Sequence, residues 1–176
     1  MKNSLKMALV LGIAMLSCNG PVVKEENRDL VNSINEIMSH IDSNHRVRIV
    51  EDDFHVGDSI FKIRAYYTDE NLVKIVSILK TSHIERDDYF YFENNEPLFS
   101  GHLMNQRDDH SAAEYKYYYE KGKVVESLFW EDTYTPGKRF PHERFEEFSP
   151  DLDSLAETET SRLIFCLSKL AMEGYE

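Results

Sequence analysis

Histidines and carboxylates come close together at three places in this chain. His40 and His45 stand five apart, His83 precedes Glu85 by two, and Asp108, Asp109 and His110 are contiguous. A helical zinc site needs ligands one turn apart, as in His-Glu-x-x-His, and a calcium loop needs a glycine inside a series of oxygen ligands. Neither pattern occurs, so these residues are read as solvated turns and strand ends, and neither metal nor cofactor is expected. Cys166 lies on an apolar helix face and reads as a small core filler. Gly-x-Ser-x-Gly and a phosphate-binding loop are both absent, so the expectation is a protein that is not an enzyme.

The aromatic residues make a stronger pattern. The stretches "IRAYYTDENLVKIVSIL", "DDYFYFENNEPLFSGHL" and "YKYYYEKGKVVESLFW" each run from an aromatic strand through a polar turn into a second apolar strand. Tyr67, Phe92 and Tyr119 align at separations of 25 and 27 residues, a loose internal repeat. Alternation along a strand puts those three on one face and Tyr66, Tyr91 and Tyr118 on the other. Arg64, Tyr89 and Lys116 share the parity of the second set. That set is therefore assigned to solvent, as a shallow aromatic platform able to stack on a sugar ring or receive a partner protein.

The elements that must position this ladder follow from periodicity. Asn27 can cap a helix whose Leu30, Ile34, Ile37 and Ile41 recur at helical spacing. "RVRIVE" at Arg46 to Glu51 alternates as a half-buried strand, which acidic "EDD" and Gly57 should end. The three repeat units give six antiparallel strands, with turns centred on 69–71, 94–96 and 121–122. Ser154 and Glu157 have capping-box spacing, and Leu163, Leu167 and Leu170 with Ala156 and Ala171 mark a last helix ending near Gly174. The expected fold is α+β: an antiparallel meander of six to seven strands, one face covered by the amino-terminal and carboxy-terminal helices. The repeat units resemble MORN-type repeats, and that resemblance implies hairpin geometry and no function.

The chain begins with Lys2 and Lys6, followed by an uncharged apolar run from Met7 to Leu16, the layout of a secretory signal. The run is too short to span a bilayer as a stable helix. At its end Leu16, Ser17 and Cys18 resemble the lipobox of bacterial lipoprotein precursors, with Met15 in place of the usual leucine. The resemblance implies cleavage before Cys18, lipidation of that cysteine and attachment to a membrane. With Asn19 rather than aspartate next, it implies the outer membrane rather than the inner. The organisation expected is a signal peptide at 1–17, a tether at 18–26 and one globular domain at 27–176.

Lys and Arg number 20 against 32 Asp and Glu, a net charge of −12. Removing 1–17, which holds two lysines and no acid, leaves 18 against 32, or −14. Such a chain is repelled by nucleic acid, so a charged partner should be a basic protein, and a neutral one a glycan. Two functions fit. One is a lipid-anchored envelope protein that binds through its aromatic sheet face. The other is an acidic inhibitor or immunity-type protein, whose loops at 51–53 and 107–109 would plug a basic hydrolase or toxin.

Overall fold

The computed structural model describes residues 23–108, 110–133, 146–147, 158 and 161–168. A 3-10 turn at Glu25–Asn27 leads into α1 (Arg28–Ser43). Seven long strands follow: β1 (Arg48–Val56), β2 (Ser59–Thr68), β3 (Asn71–Lys80), β4 (Ile84–Glu93), β5 (Glu96–Gln106), β6 (Ser111–Glu120) and β7 (Lys123–Thr133). A two-residue β8 (Glu146–Glu147) pairs with β7, and a helix over 161–168 is α2. All strands pair antiparallel in the order of the chain, so the fold is an α+β meander. The acidic run at 51–53 does not end the first strand. It lies inside β1, where Glu51 and Asp53 face Arg64 and Lys62 of β2.

The three repeat units make three hairpins of one construction. Each has a two-residue turn with both residues in the left-handed region: Asp69 and Glu70, Asn94 and Asn95, Lys121 and Gly122. Each ladder then slips by one residue beside the aromatic pair, leaving Val73, Leu98 and Val125 as bulges. Two left-handed residues match the right-handed twist of the flanking strands, and the bulge adds to that twist. Glu70, at φ 69°, holds a conformation that costs an ordinary side chain about 1 kcal/mol. Glu70→Gly, which creates the favoured Asp-Gly turn, is expected to stabilise by about 0.5–1 kcal/mol. The check is a higher urea midpoint at unchanged m-value.

The two helices divide the faces of the sheet, and here the structure corrects the expectation that both lie on one. Val31 and Ile34 of α1 pack on Tyr91, Phe99, Tyr118, Leu128 and Trp130. Leu163 and Cys166 of α2 pack with Ile63, Ala65, Ile75, Phe90 and Phe92, whose register puts them on the opposite face. A central strand with aromatic residues at both parities must bury both sides, and one helix can shield only one.

Lengths explain how α1 fits. Sixteen residues make a helix of roughly 24 Å. Five strand-to-strand steps come to about the same distance. Accordingly α1 starts over β7, where Asn27 Nδ2 donates to Val125 O (2.9 Å) and Glu126 Oε2 (2.8 Å). It ends over β2 and β3, where Lys74 Nζ donates to Asp42 Oδ1 (2.6 Å) and Asn44 follows beside Thr68. Asn27 stands at the cap position, but its side chain makes no cap bond. It is drawn instead to Val125, the bulge residue left out of the strand ladder. The Lys24 amide also donates to Glu126 (3.3 Å), so the packed domain begins before residue 27 and takes in the end of the expected tether.

Among the described residues no helix is long and apolar enough to cross a membrane. The signal run, Cys18 and the capping box at Ser154 and Glu157 lie outside the described residues, as do Ala156, Leu170, Ala171 and Gly174.

Candidate functional site

The tyrosine platform is not a surface. Tyr91 and Tyr118 are each 4% exposed beneath α1, and Tyr89 is half-buried against the same cluster. Their hydroxyls are taken up inside the protein. Tyr91 donates to Asp42 Oδ2 (2.8 Å), Tyr118 to Asn35 Oδ1 (3.4 Å) and Tyr89 to Glu114 Oε1 (3.0 Å). Tyr66 is half-buried at the carboxy-terminal end of α1, where Lys74 lies 5.8 Å from its ring centroid and 4.7 Å from that of Tyr91. Arg64 is half-buried and paired with Glu51, and Lys116 sits 3.3 Å from Glu114.

The parity of the six residues is as expected, but their assignment to solvent is corrected. Arg64 and Lys116 suggested an open face, whereas each carries its own carboxylate at the margin of the helix footprint. The tyrosine rings between them are core, with polar tips that reach partners on the helix or along the sheet. Of the alternate set, Phe92 and Tyr119 are buried and Tyr67 half-buried, also as core.

Burial raises the pKa of Tyr89 and Tyr91 well above the usual phenol range, and that of Tyr118 to about 12. It also pushes the Cys166 thiol up to about 11. Each group is neutral when protonated, so the folded state holds its proton more tightly than the unfolded state does. Their contribution to stability is full below the ordinary values of 9.0 and 10.0, and is lost as pH rises through the folded ones. Melting temperature is therefore expected to fall steeply between about pH 9 and 12. The check is thermal melts against pH, with a final part of the tyrosinate absorbance, that of Tyr89, Tyr91 and Tyr118, appearing only together with unfolding.

The other face carries a real concavity. Two cross-strand rows supply its floor: Phe61, Leu79 and Arg86 in one, Ser77 and Asp88 in the other, where Ile63 completes the row as buried core. The second row continues to His102 on β5. Ser161, Arg162, Phe165 and Cys166 of α2 close one side, leaving a cleft of about 410 Å³. Phe165 packs against the stacked rings of Phe54 and Phe61, at 6.1 and 5.9 Å between centroids.

Below the cleft lies a buried polar chain. His102 Nδ1 donates to Asp88 Oδ1 (2.7 Å), and Arg86 Nε donates to Asp88 Oδ2 (3.0 Å). Asp88 and His102 are each 2% exposed, while the Arg86 side chain keeps 29% of its surface. Phe90 meets the His102 ring edge-on at 5.9 Å, and Tyr117 lies 5.8 Å from it. A carboxylate so far from water persists only where charge and hydrogen bonds compensate it, and here both of its oxygens are engaged.

Among the described residues no three His, Cys, Asp or Glu side chains gather to hold a metal ion. His83 and Asp108 do meet, at 2.8 Å on exposed loops, and Glu85 is claimed by Lys80 and Arg107. His102 lies apart from those histidines and belongs to no spacing pattern in the sequence. A usable signal was present: in "RDDYFYF" Asp88 has the core parity of Phe90 and Phe92, and a charge at a core position marks a special site.

No protein-family model, curated protein or solved structure matches this chain.

Proposed function

We propose that this protein is a lipid-anchored, non-enzymatic component of the cell envelope that serves as a ligand-binding module. The anchoring rests on Cys18, placed at the end of a basic-then-apolar leader in the order that a lipoprotein precursor requires. Asn19 favours the outer membrane. The binding role rests on the cleft between α2 and the sheet, whose apolar walls and few fixed polar groups are the usual composition of a ligand site. The cleft takes the place of the tyrosine face, which α1 covers.

A non-enzymatic role is supported by the state of the reactive groups. The Cys166 thiol stays protonated at neutral pH because burial disfavours the thiolate. Asp88 divides its oxygens between His102 and Arg86, which neutralises a buried charge. The alternative of an acidic plug for a basic hydrolase has less support. Glu51 and Asp53 already face cations across the sheet, and Asp108 is bonded to His83.

The test is expression of the full chain in a bacterial host fed an alkyne-labelled fatty acid, comparing wild type with Cys18→Ala by intact mass and membrane fractionation. Acylation that disappears in the variant is the expected result. Cleavage without acylation, or an uncleaved cytosolic product, would overturn the anchoring.

A further inference from the structure

We infer that the cleft takes a small amphiphilic anion: a short apolar chain that ends in a carboxylate. The inference deepens the binding reading above, since it names the ligand class of the same cleft. Phe61, Leu79 and Phe165 supply the apolar wall, and the volume of about 410 Å³ lies within the range of small-molecule sites. The head group is specified by Arg86. Its Nε is bound to Asp88, and among the described residues its Nη nitrogens have no hydrogen-bond acceptor. Those nitrogens belong to a side chain that is 29% exposed and lines the cleft.

Asp88 thus acts as a fixed support. It is 3% exposed in its side chain and holds the guanidinium at one edge, so the opposite edge is presented without further ordering. A guanidinium edge matches the two oxygens of a carboxylate. Arg162 of α2 also lines the cleft.

The rest of the chain decides how large the anion can be. Net charge is −12, so an extended polyanion brought to Arg86 would meet repulsion over most of its length. A monoanion with its tail enclosed in the cleft avoids that field. The Arg86 guanidinium equally disfavours an amphiphilic cation.

The experiment uses the full chain bearing Cys18→Ala, so that no attached lipid competes. Decanoate, decanol and decyltrimethylammonium are titrated by calorimetry below their aggregation concentrations. Decanoate is expected to bind at least tenfold more tightly than decanol, with the cation weakest. Ser161→Trp, which fills the cleft from an exposed helix position, should abolish decanoate binding.

Equal affinity for decanoate and decanol, or decanoate binding indifferent to Ser161→Trp, would overturn the inference. The same outcome would follow if an uncharged envelope glycan or lipid bound wild type but not Ser161→Trp while decanoate did not bind. The cleft would then remain the binding site, and only the ligand class would fall. Failure of every such ligand to show Ser161→Trp sensitivity would overturn the binding role as well.

Discussion

Asp88→Ala is expected to lower stability by about 3–5 kcal/mol, a large share of the roughly 5–15 kcal/mol that holds a domain of this size together. The cost arises from what the substitution leaves behind. His102 Nδ1 and Arg86 Nε both donate to this carboxylate, and His102 has no access to water in its place. Removing a buried carboxylate leaves its donors without an acceptor, which is far more costly than never having built the contact. Urea denaturation of Asp88→Ala, His102→Gln and the double variant forms a cycle that isolates the contact. A coupling of about 0.5–3 kcal/mol is expected. Strictly additive losses would show that Asp88 matters for packing alone.

Phe99→Ala should be comparably severe, at about 3–5 kcal/mol, for an unrelated reason. Phe99 is 1% exposed at the centre of the cluster beneath α1. Its ring meets Tyr118 edge-on at 5.0 Å and Tyr91 at 6.0 Å, and stacks on Tyr89 at 6.2 Å. Opposite Tyr89 on β5 stands Gly101, whose missing side chain leaves room for the tyrosine ring. Loss of Phe99 removes the contact shared by all three tyrosines and opens a cavity that the flanking strands cannot close. Hydrogen exchange should accelerate first along α1, where Val31 and Ile34 lose part of their seat. An unchanged urea midpoint would mean that the tyrosines alone hold the helix.

These two residues also mark the limit of what can be read from the chain. The hairpins were legible because their signals are local. Polar turn pairs separate apolar runs, and the same layout occurs three times, so strand order in a meander follows directly. The helix over 28–43 was legible from spacing, as was the role of Cys166 as buried filler.

The destination of each face was not legible. Alternation divides Tyr66, Tyr91 and Tyr118 from Tyr67, Phe92 and Tyr119 without saying what lies above either set. Charged residues at the parity of the first set pointed to solvent, but Arg64 and Lys116 prove to be paired locally at the edges of a covered region. The helix that covers them is 49 residues from Tyr91 at the Asp42 contact and 83 from Tyr118 at the Asn35 contact.

The chain by itself therefore determined the α+β class, the meander and the sidedness of each strand, because turn chemistry and period-two alternation act between near neighbours. Tertiary structure alone decided that α1 and α2 take opposite faces, that the tyrosines become core, and that Arg86, Asp88 and His102 converge beside a cleft. Those outcomes depend on contacts between residues distant in sequence, and their energies come from burial that no local pattern records.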